Sequence, residues 1–326
     1  MKTDSSILDP QKGNRELPLN ASFFTIFLTV IFGANAVAMK VIFGANAVAM
    51  KVSFAGVGVF SAAGLRFGLA AAALSLWAMC TDRSLRITSK QAVNLFLIAV
   101  LFTVQMALFY HGLNKTTASH GTLIANLLPF IVLILAHYFI PGESVTLRKM
   151  VGILLGFCGV LFLVFDKEGL YTDIRTGDFI VLTAVFIWGA CAIYIKKIIG
   201  TTAPLLVSVY PMFLASPCLL LAGYFFDDEM VRYIDIPIGF ALFYQSFITA
   251  SFGYIAWNTL VKEYGTSVVH SFLFIMPLSG VSFGVLLLGE PVTPSLIGAL
   301  TLIVTGIIFL SYRRRQPVCP LGGPDA

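Results

Sequence analysis

Two similar stretches decide how this chain of 326 residues is organised: PGESVTLRKMVGILLGFCGVLFLVF at Pro141–Phe165 and GEPVTPSLIGALTLIVTGIIFLSY at Gly289–Tyr312. Each contains Gly-Glu-Xaa-Val-Thr followed by one long apolar run, and the two glutamates, Glu143 and Glu290, are 147 residues apart. Self-similarity at a fixed long period is the signature of a repeated structural unit. The chain is therefore predicted to contain the same unit twice.

Two more pairs of segments support this prediction. FGANAVAMK, ending at Lys51, resembles WGACAIYIK, ending at Lys196, 145 residues later. YHGLNK, ending at Lys115, resembles WNTLVK, ending at Lys262, 147 residues later. Because the three pairs follow one order at nearly one offset, apolar composition alone does not account for them.

The composition places the chain in a lipid bilayer. Hydrophobic residues make up 58% of it and charged residues only 11%, and the mean hydropathy is +0.91. A soluble domain carries roughly 25% charged residues. The net charge of +5 does not indicate nucleic-acid binding, because most Lys and Arg residues sit in short loops between apolar runs rather than on a basic face.

Runs of about 20 apolar residues can cross a bilayer as helices. Ten are predicted, at 22–51, 56–80, 91–112, 118–140, 147–165, 177–197, 203–226, 237–260, 266–289 and 295–312. We expect an all-α integral membrane fold of ten transmembrane helices in two five-helix repeats, at 21–165 and 177–312. Polar tails are expected at 1–20 and 313–326.

The distribution of basic residues predicts the orientation. With the N-terminus in the cytoplasm, the outer loops hold only Lys115, Lys167, Arg175 and Arg232, whereas the cytoplasmic segments hold fourteen Lys and Arg residues. Both termini are therefore predicted to be cytoplasmic in a multi-pass protein of the plasma or inner membrane. Because five is odd, the second repeat is inverted, an architecture by which transporters alternate access to a midplane site.

These segments resemble a known family. The Gly- and Ala-rich first helix ending in Lys, the stretch GLRFGLAAAAL with Arg66, and the two Gly-Glu-Xaa-Val-Thr stretches are together similar to a drug/metabolite transporter of the EamA type with two EamA repeats. The resemblance covers about residues 21–312. It implies a ten-helix fold with a central cavity that exports or exchanges small metabolites, amino acids among them.

Polar and aromatic residues deep in the apolar runs are the candidates for substrate binding, because polar groups at membrane depth are costly. Amides offer both donors and acceptors, and aromatic walls suit amphipathic solutes. The predicted set is Asn35 or its duplicate Asn46, Gln105, Asn126, Trp188, Tyr210, Gln245, Tyr254 and His270. The alternative is that the amides hydrogen-bond between helices and the aromatics anchor helix ends.

Charged residues at matching places in the two repeats are candidates for gates. Glu290 and Lys51 are predicted at outer helix ends, with Lys40 in place of Lys51 if the first copy of the duplicated phrase is the embedded one; Glu143 and Lys196 are predicted at inner ends. We predict that each pair forms when its own side closes and parts when it opens. The alternative is that each charge simply extends from a helix end to water.

Pro129 and Pro277 occupy matching places in the fourth and ninth predicted helices. Each lacks a backbone N–H and frees a carbonyl in mid-membrane. They are predicted to be either hinges that let a helix bend during transport or packing kinks.

No residue pattern indicates an enzyme or a resident cofactor. The four histidines lack metal-ligand spacing, the five cysteines form no CxxC pair, and no Walker or nucleophile-elbow sequence occurs. The predicted function is a secondary transporter of a small molecule, driven by an ion or counter-solute gradient; no oligomeric state is predicted. A nucleotide-sugar or other anionic-metabolite carrier is the alternative, and a membrane-embedded transferase or a passive channel is more remote.

The first helix contains VIFGANAVAMK twice, at 30–40 and 41–51. Eleven residues make about three helical turns, so the copies present the same face about 16 Å apart. If the second copy were embedded, Lys40 would lie near the membrane centre, at a cost of roughly 2.5–3.5 kcal/mol. The first copy is therefore expected in the membrane, with the second projecting outward.

Overall fold

The structure is a computed structural model that describes residues 45–140, 146–164, 172–198, 202–253 and 275–311. The helices in these ranges are α1 (45–53), α2 (Val59–Cys80), α3 (Ser89–Lys115), α4 (Ala118–Ala125 and Leu128–Phe139), α5 (Leu147–Val164), α6 (Thr172–Ile198), α7 (Pro204–Phe226), α8 (Ile236–Phe243, continued as a π-helix over Tyr244–Phe252), α9 (Ile275–Leu288) and α10 (Pro294–Ser311).

Within the described ranges, five helices are long and apolar enough to cross a membrane: Val59–Cys80, Ser89–Lys115, Ala118–Phe139, Thr176–Ile198 and Leu205–Phe226. Three shorter apolar helices follow, at Ile236–Phe252, Met276–Leu288 and Pro294–Phe309. The prediction of an all-helical membrane fold with ten helices is confirmed. The placement of both termini in the cytoplasm stays a prediction.

Polar caps allow short connections between long apolar helices. Thr88 accepts a hydrogen bond from the backbone N–H of Gln91, whose side chain accepts one from the backbone N–H of Thr88; this capping box begins α3. Thr117 begins α4 by accepting from the N–H of His120, 3.1 Å away. The caps satisfy backbone N–H groups that the start of a helix leaves without a partner. A connection of two residues, Thr116 and Thr117, is therefore enough between α3 and α4.

Helices at equivalent places in the two repeats pack against each other: α2 against α7, α4 against α9 and α5 against α10. The contact between α5 and α10 brings backbone against backbone. A Cβ atom on Gly306 would lie 2.7 Å from the carbonyl oxygen of Gly152 and 3.0 Å from the amide nitrogen of Gly156. The Gly-xxx-Gly spacing of α5 therefore serves helix packing within the chain.

Two helices change geometry within the apolar region. The first part of α4 ends at Ala125, and the second starts at Leu128 with Pro129 in its first turn. The continuation of α8 is a π-helix, a form often found at functional sites. Its residues Gln245 and Thr249 are buried, with exposed fractions of 0% and 1%.

At the end of the bundle where α1 finishes, called here the Lys51 end, connections from the two repeats bind each other. Residues 54–58, between α1 and α2, meet the connection between α7 and α8 in a bridge of Val57 with Val231. Asp227, from the second repeat, caps α2 by accepting a hydrogen bond of 2.9 Å from the N–H of Ser61.

The expectation that the second copy of the duplicated phrase projects outward is wrong. Residues 45–51 of that copy are helical, and Ala47, Val48 and Met50 are buried in the core shared with α2 and α7. The copy is held there because residues 54–58, which join it to α2, are hydrogen-bonded to the connection between α7 and α8. The first copy, 30–40, lies outside the described residues.

Deletion of residues 30–40 is expected to leave insertion, yield and thermal stability unchanged or improved. The deletion keeps one complete phrase at the place where Met50 packs, and it removes the surplus charge of Lys40 from the first predicted span. The measurement is detergent-extracted yield and unfolding temperature beside the full chain. The matched control is deletion of the eleven residues 20–30, which removes the same length without restoring a single phrase; a collapse of yield in the 30–40 deletion alone would contradict the prediction.

Candidate substrate cavity

A cavity of about 350 Å³ lies between helices of both repeats. Its polar lining residues are Asn46, Arg66, Gln105, Thr122, Asn126, Ser208 and Thr249. Its aromatic lining residues are Phe67, Phe102, Phe109 and Trp188, and its methionines are Met50, Met106, Met212 and Met276. An apolar cavity with a few convergent polar groups is the usual form of a small-molecule site.

The polar side chains meet around Arg66, which α2 presents to the interior with 9% of its surface exposed. One terminal nitrogen of the guanidinium, Nη1, donates to the hydroxyl of Tyr110 at 3.2 Å, and this hydroxyl donates to Oε1 of Gln245 at 3.0 Å. The other, Nη2, donates to the hydroxyl of Thr249 at 3.4 Å. The network thus joins helices that are distant in sequence, from α2 through α3 to the π-helix of α8.

Thr249 extends the network to α1. Its hydroxyl oxygen lies 3.0 Å from Oδ1 of Asn46 and 2.8 Å from the carbonyl oxygen of Gln245, so its one proton can serve either acceptor. The π-helix presents both Gln245 and Thr249 on the buried side of α8. The second copy of the duplicated phrase therefore supplies a polar group to the centre of the bundle.

Some buried polar atoms near the cavity have no partner. Nε of Arg66, Oε1 of Gln105, Oγ1 of Thr122 and Nε2 of Gln245 are buried and make no hydrogen bond within the structure. An unsatisfied buried polar group costs about 1–3 kcal/mol. Such groups around a cavity are ready to bind a solute or water.

The structure brings four of the predicted binding residues together at the cavity: Asn46, Gln105, Asn126 and Trp188. Gln245 lies behind them, in the network of Arg66. Tyr210 is placed apart from the cavity, since its hydroxyl donates to the carbonyl of Leu85 at 2.7 Å. Asn35, Tyr254 and His270 lie outside the described residues.

Three members of the network, Arg66, Tyr110 and Thr249, were absent from the predicted binding set. Arg66 is a charge within an apolar run. Tyr110 lies near the predicted end of its helix, whereas the structure buries it completely. A charge in the middle of an apolar helix is the sequence signal that could have identified Arg66. No sequence signal indicated that Tyr110 is buried.

The predicted gate residues bind backbone groups at the Lys51 end. The carboxylate of Glu290 accepts hydrogen bonds from the N–H groups of Ala118 and Ser119 at the start of α4. The ammonium of Lys51 donates to the carbonyl of Asn114 at 3.3 Å. Lys51 and Glu290 attract each other but form no direct ion pair. Both are thus bound to the segment that joins α3 to α4.

A second carboxylate holds the same segment. Asp178 of α6, only 1% exposed, accepts a hydrogen bond from the hydroxyl of Thr116 and lies 2.9 Å from Nδ1 of His120. Asp178 and Glu290, both from the second repeat, therefore bind residues 114–120 of the first repeat. This arrangement is called here the Lys51-end latch.

The remaining gate and hinge candidates are placed as follows. Glu143 lies outside the described residues. Lys196 lies in the last turn of α6, at the opposite end of that helix from Asp178. Pro129 directly follows the interruption in α4, and Pro277 is the third residue of α9 as described.

A bundle of apolar helices around a polar and aromatic cavity, built from two related halves, is the architecture of a multi-pass membrane transporter. The sequence profile of the EamA-like transporter family matches residues 25–165 and 175–312, and the chain belongs to this family. The predicted resemblance is confirmed. A solved crystal structure shares the fold, with a TM-score of 0.63 and 17% identity over 86% of this chain and 95% of that chain.

Curated proteins of similar sequence have names that are consistent with this family. The chain is 29% identical over 278 residues to the "Uncharacterized transporter YyaM" of Bacillus subtilis, a match that covers 80% of this chain and 88% of the relative. It is 30% identical over 179 residues to a "Probable amino-acid metabolite efflux pump" of Escherichia coli, covering 52% of this chain and 59% of that protein. A protein of the same name from Salmonella typhimurium is 27% identical over 179 residues.

Proposed function

We propose that the chain is a secondary transporter that exports or exchanges small metabolites such as amino acids by alternating access around the central cavity. The single observation that carries the proposal is the cavity between the two repeats, with amide, guanidinium and aromatic side chains on its walls. The Escherichia coli and Salmonella typhimurium relatives, named as probable amino-acid metabolite efflux pumps, support metabolite efflux. Both termini are proposed to be cytoplasmic, in the plasma or inner membrane.

The mechanism is proposed to use the two ends of the bundle in turn. The second repeat is taken to be inverted, so that the Lys51 end faces outward and the end of Lys196 faces the cytoplasm. The Lys51-end latch supports a role for the Lys51 end as a gate, because it joins the two repeats through hydrogen bonds that can break and form again. Breaking bonds worth about 1.4 kcal/mol in total would shift an open–closed equilibrium tenfold.

Replacement of Trp188 by alanine is expected to lower efflux at least tenfold at unchanged abundance in the membrane. The indole is half-buried in the cavity wall, and its removal takes away a large contact surface for a solute. Trp77→Ala is the matched control, because Trp77 is also half-buried but stacks with Arg83 away from the cavity. Its efflux is expected to stay near that of the unmodified chain.

The direct test is efflux from loaded proteoliposomes across a panel of amino acids, carboxylates, amines and nucleobases. Saturable efflux of at least one class, lowered by Trp188→Ala and not by Trp77→Ala, supports a transporter that uses this cavity. Equal efflux in empty liposomes and proteoliposomes for every class would contradict the function, and equal loss in both tryptophan variants would move the site elsewhere.

A further inference from the structure

The central cavity carries an uncompensated positive charge. Among the described residues that line it, Arg66 is the only charged one. In the part of the chain that the structure describes, the guanidinium meets hydroxyls of Tyr110 and Thr249 and the ring of Phe67, 5.0 Å away, but no carboxylate. A buried charge without a counter-ion is costly unless water or a ligand compensates it.

The sequence confines the possible counter-ions. No Asp or Glu occurs between Glu16 and Asp82, between Arg83 and Gly142, or between Phe179 and Phe226. These segments of the helices around Arg66 therefore carry no carboxylate, and the described acids of the second repeat lie at helix ends or in connections. The charge that balances Arg66 must come from outside these segments.

The hydrogen-bonding groups around Arg66 favour an anion as well. Nε of Arg66 has no partner, and each terminal nitrogen of the guanidinium keeps a further hydrogen. Nε2 of Gln245 and Oγ1 of Thr122 are also buried without a partner. A guanidinium presents its donors as a planar fork that matches a carboxylate in two parallel hydrogen bonds.

We infer that the substrate carries one carboxylate, bound by Arg66, on an apolar body that lies against Trp188, Phe102 and the methionines of the cavity. The inference rests on the proposed transport function and names its substrate class. One guanidinium balances one negative charge, so a carboxylate fits better than a phosphate dianion or a nucleotide diphosphate. Because no acid faces the cavity, an amine on the substrate finds no ionic partner among the described lining residues, and an amine-free carboxylate binds at least as well as the corresponding amino acid.

The experiment measures binding to the purified full-length chain by fluorescence of Trp188 in a Trp77→Phe, Trp257→Phe background. The probes are 3-phenylpropionate and hexanoate, each beside its own primary amide, together with phenylalanine and phenethylamine. We expect at least one carboxylate to bind at least tenfold more tightly than its amide, and phenethylamine to bind more weakly than either. Equal binding of carboxylates and amides, or no carboxylate binding at millimolar concentration, overturns the inference.

A pair of matched substitutions tests the assignment to Arg66. Arg66→Gln is expected to weaken carboxylate binding about thirtyfold and to leave the amide unchanged, whereas Arg66→Lys is expected to retain part of the preference. Arg86→Gln, the same change at an exposed site in the connection from α2 to α3, is the control and should behave as the parent. Unaltered carboxylate preference in Arg66→Gln overturns the assignment; should that variant fail to fold, the comparison of acid with amide on the parent chain still decides.

Transport measurements distinguish a failure of the inferred substrate class from a failure of the proposed transport function. If proteoliposomes export amides or amines but no carboxylate, the chain is a transporter and the inference about its substrate is wrong. If they export no probe and none of the panel of amino acids and nucleobases, the proposed function itself fails.

Discussion

Replacing Gly177 with alanine is expected to lower the free energy of unfolding by about 3 kcal/mol, which is more than a hundredfold in the ratio of folded to unfolded chain. A Cβ atom at this position would lie 2.8 Å from the carbonyl oxygen of Gly112 and 2.8 Å from backbone atoms of Lys115 and Thr116. All three neighbours are backbone atoms, so no side chain can move aside. The start of α6 would have to separate from the end of α3.

The separation would also reach the latch, because Asp178 follows Gly177 directly and binds Thr116 across the same seam. Alanine is the better helix former by about 1 kcal/mol, and this gain offsets only part of the clash. The measurement is the unfolding temperature in detergent, with yield from the membrane as a second value.

Gly298→Ala is the matched control. A Cβ atom there would lie no closer than 3.7 Å to its nearest neighbour, a side-chain atom of Phe162, which is an ordinary contact. This variant should be as stable as the parent or slightly more stable. If Gly177→Ala were as stable as Gly298→Ala, α3 and α6 would not pack as closely as described.

Replacing Asp178 with alanine is expected to cost about 3 kcal/mol and to open the Lys51 end. The change leaves the buried hydroxyl of Thr116 and Nδ1 of His120 without their partner, and an unsatisfied buried group costs about 1–3 kcal/mol. Asp178→Asn keeps an acceptor for Thr116 and should lose less. Both values are read from unfolding temperatures, and a double-mutant cycle with His120→Ala measures the coupling between the two side chains.

Opening is read separately, by thiol labelling. Met50→Cys in a cysteine-free background places a thiol at a site that is 1% exposed, in the cavity wall near the Lys51 end. Asp178→Ala should raise its labelling rate about tenfold or more. Asp228→Ala removes an exposed carboxylate at the same end; it is the control and should change neither stability nor labelling. Equal labelling in both variants would show that Asp178 stabilises the fold but holds no gate.

The functional centre was only partly predictable. Amides such as Gln105 and Asn126 were predicted to bind substrate because a polar side chain in an apolar run is costly wherever it lies. Tyr210 met the same criterion, yet its hydroxyl binds the carbonyl of Leu85. Depth along a helix follows from sequence position, whereas the face that meets the cavity depends on how neighbouring helices are rotated.

The Lys51-end latch shows the same limit for charges. The match of Glu290 with Glu143 marked it as a gate candidate, but its partners are two backbone N–H groups at the start of α4, 172 and 171 residues earlier. Asp178 was not among the predicted gate residues, because an acid at a predicted helix end normally reaches water. Only packing of α6 against α3 turns it into a buried acceptor.

The membrane class, the ten helices, the two repeats and the family could be predicted from the sequence, because apolar length and long-range self-similarity are properties of residue order along the chain. That the second copy of VIFGANAVAMK packs in the bundle became clear only from the folded chain. The copies are identical in composition and in helical face, so only their neighbours distinguish them. The second copy is the one joined to residues 54–58, whose hydrogen bonds to the connection between α7 and α8 hold Asn46 and Met50 at the cavity.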